Sequence, residues 1–80
     1  MNRKCPRLVS FWDGSTTRWA ILNARSENEI EREFPELTLY TWYPPQMVFT
    51  IKTLSEFEGE IDIDDRDASL LADIIRGRTP

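Results

Sequence analysis

Five carboxylates on every second residue, Glu56, Glu58, Glu60, Asp62 and Asp64, form the one arrangement in this sequence whose residue types and spacing could do chemistry. Along a strand, alternate side chains share a face. All five would then point one way, while Phe57, Gly59, Ile61 and Ile63 point the other. At about 3.3 Å of rise per residue, successive acids would stand roughly 6.6 Å apart. Asp65 and Asp67 extend the run. A carboxylate pair can serve as general acid and base in glycoside hydrolysis, but that chemistry needs a cleft that holds a sugar. A chain of 80 residues offers little room for one. A calcium loop takes ligands at positions one, three and five, with glycine at six. Counted from Asp62, position five is Arg66 and position six is Asp67, so the match fails and no metal is expected.

What remains is a line of negative charge. Evenly spaced carboxylates on a rigid strand can imitate the phosphates of a nucleic-acid strand and occupy the basic groove of a protein that binds one. The plainer reading is a solvated strand whose charge protects an edge from aggregation. A solvated face would more often mix lysine with glutamate, however, and a second acidic block at Glu27, Glu29, Glu31, Glu33 and Glu36 adds to the field.

The other reactive groups are few. The chain has no histidine, which rules out the usual zinc sites and catalytic triads, and its single cysteine, Cys5, lacks a base to activate it. Its three glycines are isolated and form no phosphate loop, so neither a cofactor nor enzymatic activity is expected. Tyr40, Trp42 and Tyr43 beside Pro44-Pro45 could make an aromatic contact surface on a rigid loop, since tyrosine and tryptophan are enriched at binding hot spots. Packing over a sheet face is the simpler role for them.

Ten cations against 14 acids leave a net charge of −4 and a pI near 4.7. That balance disfavours direct binding to nucleic acid or to an anionic membrane and suits a basic protein partner. A lone cysteine fits a reducing compartment, and no apolar run marks a signal peptide or a membrane span, so a cytoplasmic location is expected. The length fits a single domain over residues 1–80, with residues 1–6 as a flexible N-terminus.

Elements that would position these residues can be read in order. Arg7–Trp12 and Thr17–Asn23 alternate in the strand manner around Asp13-Gly14, a hairpin signal, with Trp12 and Trp19 on either side of the turn. Ser26-Glu27-Asn28-Glu29 has the form of a capping box, which starts a helix that buries Ile30 and Phe34 and stops at Pro35. Leu37–Tyr43 and Met47–Leu54 read as a second hairpin turned by the two prolines. The acidic strand follows. A last helix is then expected, capped by Asp64 or Asp65, carrying the stripe Leu70, Leu71, Ile74 and Ile75, and closed at Gly77 and Pro80. The order ββαβββα predicts an α+β fold: an antiparallel sheet of about five strands with two helices on one face.

The expected function is a non-enzymatic protein that binds and inhibits or regulates a nucleic-acid-binding protein or complex through its acidic face. Its contact residues would be Glu56, Glu58, Glu60, Asp62, Asp64, Asp65 and Asp67, with Tyr40, Trp42 and Tyr43 as a secondary surface. Small acidic proteins that phages carry against restriction and CRISPR systems share this size and charge, though no motif. The alternative is a homodimeric structural or adaptor protein that associates through its sheet or its aromatic surface.

Overall fold

In the computed structural model, which describes residues 3–78, four strands and three helices make an α+β fold. Strands β1 (Cys5–Trp12) and β2 (Thr17–Ala24) form the expected hairpin. Asp13 closes its turn: Oδ1 accepts from the amides of Ser15 and Thr16, both at 2.9 Å, and the Asp13 N–H donates to the Thr16 carbonyl at 3.1 Å. Gly14 supplies the positive φ, 101°, that this turn requires. Cys5 and Pro6, expected within a flexible N-terminus over residues 1–6, pair with Ala24 and Asn23 in β1; Met1 and Asn2 lie outside the described residues.

Helix α1 (Glu27–Glu33) starts at Ser26, whose Oγ accepts from the Glu29 amide at 3.0 Å. The reciprocal half of the capping box is displaced by one residue, since Glu29 Oε1 accepts from the Arg25 amide at 2.7 Å. The helix ends at Phe34, ahead of Pro35, with Ile30 and Phe34 buried.

The second hairpin is absent. Strand β3 is only Thr38–Tyr40, and the Met47–Leu54 segment lies largely in a helix, α2 (Pro45–Lys52). Pro45 fills the first helical position, where its fixed φ fits and its missing N–H is not needed. Met47, Val48 and Ile51 then fall at i, i+1 and i+4, the inward stripe of a helix, and Ile51 is buried. The β-branched residues favour strand only weakly, and packing overrides such a preference.

With β4 (Phe57–Asp62), the sheet order is β3-β1-β2-β4. β1 runs antiparallel to both β2 and β3, and β2 runs parallel to β4, so the sheet is mixed rather than antiparallel and has four strands rather than five. It follows that β2, β3 and β4 share one direction, and each link between them must contain a return. α1 and α2 make those returns. The first link leads toward the β3 edge and the second leads back to the β4 edge. Crossovers of one hand that travel in opposite directions place their helices on opposite faces.

Burial agrees with that placement. The core of Val9, Ala20, Leu22, Ala24, Ile61 and Ile63 meets Ile30 and Phe34 of α1 and Leu70, Leu71 and Ile74 of α3 (Ser69–Gly77) on one face. Leu8, which alternates with Val9, is buried outside that core, as is Ile51 of α2. The helices therefore number three and cover both faces, not two on one. α3 starts at Ser69, preceded by Ala68 without a side-chain cap, because turns from Asp62 to Ala68 occupy the place expected for its first turn. Gly77 is its last helical residue, not a left-handed closer; Pro80 lies outside the described residues. Among the described residues, no helix is long and apolar enough to cross a membrane.

Candidate protein-binding site

The expected line of five carboxylates is broken at Gly59. Phe57 stands opposite Trp19 and Glu60 opposite Ile21, so β4 spends one residue more than β2 over this stretch. Gly59 absorbs the extra residue as a bulge with φ of 89°. Side-chain alternation restarts after it, and Glu58 and Glu60 consequently face opposite sides of the sheet. Glu58 turns toward α3, where Arg18 bonds both it and Asp73, the latter at 2.7 Å. Glu56 precedes β4 in a turn, where its carboxylate accepts from the Ser55 hydroxyl at 3.0 Å. Neither glutamate belongs to a common acidic face.

The remaining five acids do gather, at the C-terminal end of β4 and the turns after it. Glu60 and Asp62 share the α2 side of the sheet with their neighbours Ile21 and Asn23, and Glu60 accepts from the Asn23 amide group at 2.9 Å. Lys4 bridges Asp62 and Asp64, with 2.7 Å to each. Arg25 joins Asp64 at 2.8 Å to Glu29 at 2.7 Å, and Arg66 reaches Glu33 at 2.9 Å. Asp65 and Asp67 are exposed, with no ion pair to a described cation. The corner so assembled holds seven acids (Glu29, Glu33, Glu60, Asp62, Asp64, Asp65, Asp67) and four cations (Lys4, Arg25, Arg66, and Arg32, which lies 3.5 Å from Glu33). Its excess of three negative charges is most of the net charge of −4.

Cations and backbone amides hold four of these acids, Asp62, Asp64, Glu29 and Glu33, below their ordinary range. Arg25 and then Lys4 hold the Asp64 carboxyl down to about 2, and Lys4 together with the Asp64 amide holds Asp62 below its ordinary range. The backbone N–H of Arg25 does the same for Glu29, and the Arg66 guanidinium for Glu33. These partners order Asp62, Asp64, Glu29 and Glu33. Asp62 Oδ1 accepts from Lys4 and from the Asp64 amide at 2.8 Å, so it serves as a turn anchor rather than a calcium ligand.

Tyr40, Trp42 and Tyr43 differ in exposure. Tyr40 is half-buried, its ring 5.5 Å from that of Trp19 and its hydroxyl 3.1 Å from Ser10 Oγ. Trp19 thus takes Tyr40 as its aromatic neighbour, while Trp12 is 62% exposed. Tyr43 is also half-buried, whereas Trp42 is 80% exposed. Sequence reasoning missed Phe49, 73% exposed on α2, because a strand reading sets it on one face with Met47 and Ile51, from which a helix separates it. It also missed Lys4, Arg18 and Arg25, which lie 58, 40 and 39 residues from the acids they neutralise and give no local signal. Comparison with protein-family models, with curated proteins and with solved structures finds no match.

Proposed function

We propose that this chain is a non-enzymatic protein that binds, and so inhibits or regulates, a basic protein of the nucleic-acid-binding kind through the acidic corner at the end of β4. The observation that carries this reading is that one corner, with seven acids and four cations, holds an excess of three of the chain's net charge of −4. A field concentrated in this way steers and orients a cationic partner, where the same charge spread evenly would only aid solubility. Lys4 and Arg25 pre-order Asp62 and Asp64, so a partner's arginines would meet these two carboxylates at little cost in side-chain entropy. The contacts would come from Glu60, Asp62, Asp64, Asp65 and Asp67, without Glu56 and Glu58.

The test reverses Glu60, Asp65 and Asp67 to lysine. These three spare the ion pairs of Asp62 and Asp64 on which the local fold depends. Proteins retained from host lysate by the immobilised parent at low salt should be lost with the triple variant, and lost from the parent as the Debye length shrinks from about 10 Å at 0.1 M to about 3 Å at 1 M salt. Displacement of a retained partner by its own nucleic acid would support mimicry of a nucleic-acid strand. Equal retention by the triple variant at low salt would sink the proposal.

A further inference from the structure

Helix α1 is poorly equipped to stand alone. Its seven residues fall well short of the length at which a helix holds itself in water. It ends on Glu33, with Glu36 just beyond, so carboxylates sit at the negative end of its dipole, where only the exposed Arg32 offsets them locally. Two arginines from elsewhere in the chain complete it, and both pack on the ring of Phe34, which is fully buried. Arg78, the residue after α3, holds the Glu36 carboxylate through Nε at 2.6 Å and Nη2 at 2.7 Å. Its Nη2 also donates at 2.7 Å to the Glu33 carbonyl, one of those that a helix end leaves without a partner. Arg66, in the turns between β4 and α3, donates to the Glu33 carboxylate at 2.9 Å and to the Ile63 carbonyl at 3.1 Å. The guanidinium carbons of Arg66 and Arg78 stand 4.7 Å and 5.3 Å from the centre of the Phe34 ring.

We propose that Phe34 is the pivot of a latch: Arg78 locks the C-terminal end of α1 and, through the shared ring, fixes Arg66 and the turn that carries Asp65 and Asp67. Each arginine confines the ring on which the other packs, and both bond Glu33, one at its carbonyl and one at its carboxylate. Loss of either therefore loosens the seat of the other. The latch lies at the surface, with the Arg78 and Glu36 side chains 39% and 31% exposed, so it opens while Leu70, Leu71 and Ile74 of α3 stay packed. Opening frees the backbone on both sides of Arg66 and leaves the sheet in place. The coupling is independent of what the acidic corner binds.

Arg66→Met, Arg78→Met and the double variant, each in the whole chain, test it by NMR and by urea denaturation. In the parent, the ring current of Phe34 should displace the side-chain δ-proton signals of both arginines from their unfolded-chain positions. Arg78→Met should carry those of Arg66 back toward the unfolded position, and Arg66→Met should do the same for Arg78. The rise in the unfolding constant of the double variant should fall short of the product of the two single rises by about threefold or more, the mark of coupled sites. Backbone signals of the β1–β2 hairpin should hold in every variant. Arg66 signals unmoved by Arg78→Met, or single effects that multiply to within about twofold, overturn the latch and leave two independent surface contacts. A variant that loses the hairpin signals overturns it as well, because the latch opens without loss of the sheet.

Discussion

Replacing Arg18 by methionine tests whether Glu58 belongs to the interior of the fold rather than to an acidic surface. Methionine keeps an unbranched side chain that can lie along the same path and removes the charge. In the parent, Arg18 joins Glu58 of β4 to Asp73 of α3, and the side chains of Arg18 and Glu58 are only 15% and 16% exposed. Charge-assisted hydrogen bonds of this kind contribute about 1.5–3 kcal/mol each. Asp73 keeps its ion pair with Arg76 and is 33% exposed, so the loss falls mainly on the bonds that Arg18 makes. A net loss of about 2–4 kcal/mol is expected, against a total stability of roughly 4–12 kcal/mol for a chain of this length. Urea denaturation followed by far-UV circular dichroism reads the difference. Adding Glu58→Gln to Arg18→Met should recover part of the loss, because a neutral amide replaces a half-buried carboxylate that has lost the Arg18 guanidinium. A loss under about 0.5 kcal/mol, the usual scale of a surface substitution, or no recovery in the double variant, would refute the reasoning.

Ile74→Asp places an unpaired charge in the α3 stripe and should leave the chain unfolded at room temperature; an unchanged melting temperature would mean that α3 does not pack. Gly59→Ala should cost about 1–2 kcal/mol, because φ is 89° there and an added Cβ meets nothing within 4 Å, so the cost is conformational alone. Gly59→Asn should cost less, and if both variants melt like the parent the bulge is not needed. Asp62, Asp64, Glu29 and Glu33 all lie below their ordinary values, so each contributes stability that is complete above the unfolded pKa and is lost as pH falls through the folded one. For Asp64 that window runs from 3.8 to about 2. The melting temperature should be level from about pH 7 to about pH 5 and fall below about pH 4, and a level trace down to pH 2 would break the assignment.

The elements legible in the sequence are those whose signals lie within a few residues. The Asp13-Gly14 hairpin, the Ser26 cap, the Ile30 and Phe34 stripe and the α3 stripe each need one turn or one period to be recognised. α2 was hidden because Val48, Thr50 and Ile51 suit a strand locally, and only the need to bring the chain back between the parallel β3 and β4 makes that stretch a helix. Sheet order was illegible for the same reason, since β4 pairs with β2 across more than thirty intervening residues. In β4 the alternation of acids was read correctly as a strand, yet a single glycine decides which face each acid takes. Gly59 looked like one more inward position, and only its pairing register identifies it as a bulge.

Counting acids along a strand overstates a field, because the count omits cations that arrive from elsewhere in the fold. Arg18 removes Glu58 from the surface altogether, and Lys4 and Arg25 neutralise part of Asp62 and Asp64 without hiding them. The useful quantity is the local excess after pairing, and here it is three of the net charge of −4. A row of equal spacings asks its partner to match a period, as a phosphate backbone does, whereas a corner with an excess of three asks only for a compact cationic patch. Under the proposed function, the partner would therefore carry clustered arginine or lysine. Its binding would follow the excess, falling as Glu60, Asp65 and Asp67 are neutralised one by one, and would be indifferent to Glu56→Gln.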